Sequence, residues 1–311
     1  MAIIRVNATG ENCCLHGSEQ DLAACLRQYA SAPGPAVIMI HGYSYQPGHP
    51  VHCPHRHILA LDPQPLPWAA PSWPRGLGFD GTDPAEGLAI AFGWSARGSI
   101  WRARGRAIAA GRALASVVTQ LRRHAPRRNV HIVAHSMGIE VAAEALHHLP
   151  AGSVDRILSL TGASYRSRVA AALGTPAGCD ATFVNVTSRE NDLFDCLYER
   201  LIAPPARADR ALGQGLDMPN AVTLQLDCLT TLDHLRRLGA RVAPPARRIC
   251  HWSAYLRPGI LQFYRDLLRQ PETLTLNRLR AGLPRQPARR WSRLLPRRAT
   301  TRRLRLVQDP L

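Results

Sequence analysis

The stretch Val130-His-Ile-Val-Ala-His-Ser136-Met-Gly138 decides the fold of this chain. Its first four residues predict a short buried strand, and the amphipathic segment that follows Ser136 predicts a helix. Ser136 therefore sits on a sharp turn between a strand and a helix. The small residues Ala134 and Gly138 allow such a turn to close, and the helix start places backbone N–H donors near the hydroxyl. This arrangement is typical of a nucleophilic serine.

The same alternation of apolar runs and amphipathic stretches continues on both sides of this turn. The predicted strands are 36–40, 88–92, 130–133, 156–160, 182–186 and 222–226, with an additional edge strand at 2–6. The predicted helices are 100–124, 137–148, 165–173 and 258–269. Apolar strands separated by helices predict an α/β fold, with a mostly parallel sheet flanked by helices on both faces in a single domain.

The chain has 311 residues, of which 46% are hydrophobic, so it is large enough to bury one substantial core. We expect the compact domain to span residues 1–270. Two irregular stretches, 43–87 and 194–221, interrupt the pattern and are expected to be loops that shape a pocket. Residues 271–311 are expected to form a weakly ordered tail rich in arginine, since 278–305 contain eleven arginines and no acidic residue.

A serine hydroxyl needs a general base, which is usually a histidine. The histidines after the turn are His147, His148, His234 and His251. The first two lie on the helix that begins at the turn and point away from the serine, and His234 is interpreted as a surface residue. His251 lies in a loop between the last predicted strand and the last helix, with aromatic neighbours, and is the predicted base.

The base in turn needs an orienting acid, which should follow the strand at 182–186. Asp192 is the predicted acid, and Glu190 and Asp195 are rivals that the sequence leaves open. Asp195 falls in the expected helix after the loop, whereas Glu190 is only two positions from Asp192. Asp227, after the last strand, is interpreted as structural.

Acyl transfer also needs N–H donors for the oxygen that becomes negative. The backbone N–H of Met137, directly after the serine, is one predicted donor. The second is the backbone N–H of Tyr43, in the loop after the strand at 36–40. Gly42 permits the close backbone approach that this role requires.

Several aromatic and histidine residues are candidates for a substrate pocket or a metal site. His41, Gly42, Trp94 and Trp252 are predicted to line the pocket, although Trp94 is equally well interpreted as core. The cluster His49, His52, Cys53, His55 and His57 carries good zinc ligands in a spacing that matches no structural zinc pattern. No metal and no cofactor are expected, because a serine nucleophile needs neither.

The motifs His41-Gly42, Phe92-Gly-Trp-Ser-Ala-Arg-Gly98, Ala134-His-Ser-Met-Gly138, Asn191-Asp192 and His251 resemble those of the α/β-hydrolase superfamily. They are most similar to those of bacterial esterase/lipase-like serine hydrolases of unassigned substrate. The resemblance spans about residues 36–270 and implies a Ser136–Asp192–His251 triad. The first hypothesis for the function is hydrolysis of a carboxylic ester, with a lipid as one substrate class, through an acyl-serine; thioester or amide cleavage and acyl transfer are left open. The alternative is a non-enzymatic binding protein on the same scaffold, with the basic tail contacting nucleic acid or an anionic membrane.

The formal net charge of +17 comes from arginine, because the chain contains no lysine. Nucleic acid is not an expected partner, whereas the basic tail predicts weak contact with anionic membranes or other polyanions. No apolar run reaches 18 residues and the N-terminus lacks the layout of a secretory signal, so a cytoplasmic location is expected. The eight scattered cysteines are then expected to be free thiols. The sequence leaves the oligomeric state and the acyl-chain length open.

Overall fold

The computed structural model describes residues 2–65, 70–83 and 85–284. Within these ranges the strands are β1 (Ala2–Thr9), β2 (Asn12–Leu15), β3 (Ala36–Ile40), β4 (Leu88–Gly93), β5 (Val130–His135), β6 (Arg156–Leu160), β7 (Thr182–Thr187) and β8 (Ala221–Gln225). The helices are α1 (Leu22–Gln28), α2 (Trp73–Gly76), α3 (Ile100–His124), α4 (Gly138–Leu146), α5 (Arg166–Leu173), α6 (Pro176–Asp180), α7 (Asp192–Leu201), α8 (Leu229–Arg237), α9 (Ser253–Leu256), α10 (Ile260–Arg269) and α11 (Leu276–Arg280).

The strands form one sheet in the order β2-β1-β4-β3-β5-β6-β7-β8. Only β2 is antiparallel to its neighbour, and all other pairs are parallel. The predicted mostly parallel α/β sheet is therefore confirmed. Because parallel strands carry their carboxyl ends at the same edge, the loops that follow β3, β5, β6 and β7 meet there. This edge brings together the residues that the sequence analysis singled out.

Both faces of the sheet are covered, as the continuous apolar strands require. One core packs α1, α3 and α4 against the sheet, and a second packs α2, α8 and α10 against the opposite face. Residues 88–93 of β4 are all buried, which explains why this strand is uniformly apolar or glycine. Within the described residues, no helix is long and apolar enough to cross a bilayer.

Helix α3 is the longest described element and matches its predicted range. The Ser99 side chain accepts the N–H of Arg102 at 3.3 Å and so caps the first turn. The helix ends at His124 because Ala125 precedes a proline, which disfavours the helical conformation of the residue before it. Gly111 lets the neighbouring α4 approach closely, since a Cβ atom there would lie 2.4 Å from Cβ of Glu144.

Two predictions about the ends of the chain need correction. The edge strand is longer than 2–6 and turns at Gly10 (φ 62°) into the hairpin partner β2, which was not predicted. The predicted domain boundary at residue 270 is wrong, because Leu274 and Leu279 are buried beyond it in the second core. Residues 271–284 therefore belong to the packed domain, and 285–311 lie outside the described residues.

The two predicted pocket loops are more ordered than expected. Residues 43–87 contribute Trp73, Leu77 and Phe79 to the second core, so much of this segment fills the interior instead of shaping a pocket. The range 194–221 overlaps α7, whose buried face includes Tyr198. Helix α7 begins directly after the loop that was predicted to carry the acid.

Candidate active site

Ser136 lies on the turn between β5 and α4, as predicted. Its φ of 53° is in the left-handed region, a conformation that a residue with a side chain adopts only when its surroundings impose it. The surroundings leave no room for larger neighbours. A Cβ atom on Gly138 would lie 2.7 Å from the carbonyl oxygen of His41, and one on Gly42 would lie 2.7 Å from Cβ of Ser136. Glycine at both positions lets the β3 loop pack directly against the serine.

His251 reaches Ser136 from the loop before α9. Its Nε2 lies 2.9 Å from Oγ of Ser136, which is within hydrogen-bond distance. The backbone carbonyl of His251 accepts two hydrogen bonds, from Nε2 of His135 at 3.2 Å and from Oγ1 of Thr161 at 3.1 Å. The ring of Phe194 stacks on the imidazole at a centroid distance of 4.6 Å. Both the backbone and the ring of His251 are therefore held in place.

The residue that contacts the far side of His251 is Asn191 and not the predicted Asp192. Oδ1 of Asn191 lies 2.6 Å from Nδ1 of His251. The prediction fails because the chain after β7 forms a 3-10 turn over Arg189–Asn191, which directs the side chain of 191 to the histidine. Asp192 is already the first residue of α7 and is buried in its first turn.

A carboxylate stands behind this amide. Nδ2 of Asn191 donates to Oδ1 of Asp195 at 2.9 Å, and Asp195 is 3% exposed. A carboxylate only accepts, so the atom of Asn191 that faces it must be the NH2 group. The amide oxygen then faces His251, and Nδ1 of His251 must carry the proton that it donates. Nε2 then carries no proton, and its lone pair is directed at the Ser136 hydroxyl. This tautomer, with the proton on Nδ1, is the one that a general base needs.

The uncharged partner also affects the protonation of His251. Burial lowers the pKa of His251 to about 4, from an ordinary value of 6.5. A carboxylate at Nδ1 would favour the imidazolium and raise this pKa, whereas an amide supplies a hydrogen bond without a charge. His251 is therefore neutral across the neutral and mildly acidic range.

The rival carboxylates have other partners. Glu190 forms a buried ion pair with Arg257, and its Oε2 accepts the hydroxyl of Ser188 at 2.9 Å. Asp227 accepts the backbone N–H of Arg189 at 2.9 Å and pairs with its guanidinium, which agrees with the structural interpretation. Asp195, the other rival, accepts a hydrogen bond from Asn191, which lies between it and His251.

The interpretation of His234 as a surface residue is wrong. Its side chain is 6% exposed, and its Nε2 lies 3.0 Å from the carbonyl oxygen of Arg278. This contact ties α8 to α11 and therefore belongs to the packing that extends the domain past residue 270. It lies outside the candidate active site.

The loop after β3 presents the second predicted oxyanion donor. Nε2 of His41 accepts the backbone N–H of Trp94 at 3.0 Å, so Nδ1 carries the proton and donates to the carbonyl of Gly42 at 2.8 Å. Because the peptide is planar and trans, the N–H of Tyr43 points away from that carbonyl. Within the described residues the N–H groups of Tyr43 and Met137 have no hydrogen-bond acceptor. Both predicted donors are thus available to a ligand.

The pocket predictions for His41 and Trp94 are wrong. His41 is 0% exposed and Trp94 is 1% exposed, and their rings stack nearly parallel at a centroid distance of 5.7 Å. Both support the β3 loop from behind, and burial lowers the pKa of His41 to about 4. Gly42 is buried against Ser136. Trp252 is 48% exposed, with its ring centroid 6.1 Å from that of His251, so it stands at the opening of the site.

The histidine cluster at 49–57 is arranged for loop packing. Nε2 of His55 contacts Oδ1 of Asn7 at 2.8 Å, and Nδ1 of His57 contacts the hydroxyl of Tyr45. His49 accepts backbone N–H groups of its own loop through Nδ1. Across the described ranges no three histidine, cysteine or acidic side chains are grouped so that they could hold a metal ion.

The chain was compared with known protein families, curated proteins and solved structures. Residues 18–161 match the model of a family described as "Alpha/beta hydrolase of unknown function (DUF900)". No curated protein matches the chain. Among solved structures the chain is similar to the crystal structure of Bacillus licheniformis lipase BlEst2 in mature form. The identity is 13% and the TM-score 0.32, over 62% of this chain and 83% of that one.

The matched family segment runs from α1 to the end of β6 and so contains both the β3 loop and the Ser136 turn. Asn191 and His251 lie outside it. The sheet order, the strand–serine–helix turn and the matched family model agree with the predicted resemblance. Residues 18–161 are thus similar to an α/β-hydrolase family, and the chain has the α/β-hydrolase fold.

Proposed function

We propose that the chain hydrolyses carboxylic esters through an acyl-enzyme intermediate on Ser136. The observation that carries the proposal is the hydrogen-bonded series Ser136–His251–Asn191, with Nε2 of His251 2.9 Å from the serine Oγ. This series supplies a nucleophile, a neutral base and a group that fixes the tautomer of the base.

In the acylation step, Oγ of Ser136 attacks the ester carbonyl carbon while Nε2 of His251 takes the hydroxyl proton. The carbonyl oxygen becomes an oxyanion, which accepts hydrogen bonds from the N–H groups of Tyr43 and Met137. When the tetrahedral intermediate collapses, the ester C–O bond breaks, and His251 gives its proton to the departing alkoxide. The products of this step are an alcohol and the acyl-serine.

In the deacylation step, a water molecule takes the place of the alcohol. His251 accepts a proton from the water as its oxygen attacks the acyl carbon, and the second oxyanion uses the same two N–H groups. Collapse returns the proton to Oγ of Ser136 and releases a carboxylic acid. The imidazolium that forms in both steps faces the amide dipole of Asn191, with the Asp195 charge one hydrogen bond further away.

The proposal is tested with p-nitrophenyl esters of increasing acyl length. We expect saturable hydrolysis that is lost after treatment with a fluorophosphonate, which modifies an activated serine. If neither turnover nor labelling is detected with any ester, the chain uses the scaffold for binding, which is the alternative that the sequence left open.

We expect the rate to depend on pH in an unusual way. Hydrolysis needs neutral His251, whose pKa is lowered to about 4, so kcat/KM should stay constant from neutral pH down to about pH 5 and fall as the pH passes through 4. The measurement is kcat/KM from pH 3.5 to 8 on a soluble ester, with circular dichroism to confirm folding at each pH. An acid limb centred near 6.5 would contradict the assigned environment of His251.

We expect Asp195→Asn to lower kcat by about a hundredfold, because the amide of Asn191 is then free to turn its NH2 group toward His251. Nδ1 would have to accept, and the proton would move to Nε2, the atom that should receive it from serine. The second substitution Asn191→Asp should restore most of the turnover, because a carboxylate at 191 can only accept from Nδ1. The same double variant should raise the pKa of the acid limb.

This pair of variants separates positioning from packing. A purely structural role for Asp195 predicts that the second substitution gives no recovery of turnover. The ¹⁵N chemical shifts of the His251 ring, measured in the parent and in Asp195→Asn, report directly which nitrogen carries the proton.

A further inference from the structure

Six exposed apolar side chains lie on segments that contain or contact residues of the candidate site. We call them the rim, and they are Trp101, Leu193, Leu197, Leu201, Ile249 and Trp252. Each is between 42% and 60% exposed. Because a soluble domain usually buries such side chains, an exposed group of them commonly marks an interaction site.

Contacts in the structure join the three segments of the rim. Leu193, Leu197 and Leu201 follow one another at four-residue intervals and so lie along one face of α7. The indole N–H of Trp101 donates to the carbonyl of Leu201 at 2.9 Å. On the other side, the N–H of Cys250 donates to the carbonyl of Glu190 at 2.9 Å, which holds Ile249 beside the start of α7.

The rim also lies next to the reacting residues. Leu193 is two positions after Asn191, and Trp252 directly follows His251. The ring of Phe194, between two rim residues, stacks on the imidazole of His251. A partner surface that binds through the rim would therefore lie next to Ser136 and His251.

The exposed charged residues within the rim segments are all arginines. Arg102, Arg200, Arg247 and Arg248 are exposed, and their guanidinium groups have no partner among the described residues. The acidic residues of the same segments are buried or partly buried, namely Glu190, Asp192, Asp195 and Glu199. The exposed part of the rim thus combines apolar side chains with uncompensated positive charge.

We propose that the rim docks the enzyme on an anionic lipid surface, with the opening of the Ser136 site facing the lipid. The occupant follows from the charges, since apolar side chains interspersed with arginine match the boundary between acyl chains and anionic headgroups. The rim residues come from three separate segments, and a fluid lipid surface accepts such side chains without a shape-matched partner. The reaction at this surface rests on the proposed esterase function, whereas the docking does not.

The test is cosedimentation of the full chain with vesicles of phosphatidylcholine alone or mixed with phosphatidylglycerol. We expect binding to the mixed vesicles that weakens as salt is added, and much weaker binding to phosphatidylcholine. The pair Leu197→Ser with Leu201→Ser and the pair Arg247→Gln with Arg248→Gln should each lower the partition coefficient by about tenfold. The leucine pair should leave kcat/KM on a soluble ester unchanged.

Matched controls use comparable substitutions at residues that are not part of the rim. Val51→Ser removes an apolar side chain that is 43% exposed, and Arg123→Gln with Arg127→Gln removes two exposed arginines at the opposite edge of the sheet. Both controls should bind like the parent. Ser136→Ala should also bind like the parent, so failure of the esterase proposal and failure of docking give different results.

Three outcomes overturn the docking proposal. In the first, the rim variants bind vesicles as the parent does, which places membrane binding elsewhere, for example in residues 285–311. In the second, the parent does not bind anionic vesicles at all. In the third, the leucine pair converts an oligomer into a monomer without affecting vesicle binding, which makes the rim an interface between copies of this chain.

Discussion

We expect Ser136→Ala to reduce ester hydrolysis to the background of the assay, a loss of about a millionfold in kcat. Among the described residues, Ser136 provides the hydroxyl that lies 2.9 Å from Nε2 of His251 and can attack a carbonyl carbon. The substitution should leave the melting temperature nearly unchanged, because serine and alanine are similarly disfavoured at a φ of 53° and the side chain is small. The measurements are initial rates on a soluble ester and thermal unfolding of both proteins.

The matched control for this variant is Ser159→Ala. Ser159 is a fully buried serine on the neighbouring strand β6, and its hydroxyl has no hydrogen-bond partner in the described part of the chain. Its removal should leave turnover at the parental level. If Ser136→Ala retains a substantial fraction of the parental rate while remaining folded, another residue is the nucleophile.

We expect His251→Ala to lower kcat by roughly a thousandfold or more, because the serine then has no base to accept its proton. The residual rate should come from the Tyr43 and Met137 N–H groups and from substrate binding. The pH profile of the His251→Ala variant should also lack the fall in kcat/KM near pH 4, because the group that titrates there is gone. The measurement is the pH profile of kcat/KM for the variant and the parent.

His148→Ala is the control for the histidine. His148 lies at the far end of the helix that follows Ser136, and its Nε2 contacts Glu144 at 3.0 Å. Its replacement should change neither the rate nor the profile. A His251→Ala enzyme with near-parental turnover and an intact acid limb would assign the base to a different residue.

Comparing sequence and structure shows which features local patterns could predict. The strands from β3 to β8 are buried on both faces, so their apolar runs are long and unambiguous, and the predicted bounds differ from the observed ones by at most two residues. The Ser136 turn was predictable because strand, small residues and helix follow one another directly along the chain. The approach of His251 to this turn was predicted from its place between the last strand and the last helix.

Whether residue 191 or residue 192 contacts Nδ1 of His251 depends on the local backbone conformation after β7. A 3-10 turn at 189–191 directs residue 191 to the imidazole, and no apolar period specifies such a turn. The signal that was present is the four-residue spacing of Asn191 and Asp195, which lets an amide donate to a carboxylate on one helix face. The sequence analysis weighed only carboxylates as direct partners and so did not consider an amide held by one.

The remaining errors arise from contacts between segments distant in the sequence. His41 and Trp94 carry aromatic rings near the site, but each ring satisfies the backbone of the other segment and is buried. The domain extends past residue 270 because Leu274 and Leu279 pack into a core formed by much earlier segments. Burial of this kind results from contacts in the assembled fold, so the local amino-acid composition does not predict it.

The most direct test of the central claim is to trap the acyl-enzyme and locate the acyl group. The protein is mixed with p-nitrophenyl acetate, quenched in acid after a short interval and digested, and the peptides are analysed by mass spectrometry. We predict one acetyl group on the peptide that contains Ser136, carried by the Ser136 oxygen, and no such adduct in Ser136→Ala. An adduct on another residue, or turnover without an adduct on Ser136 at any quench time, would contradict the account.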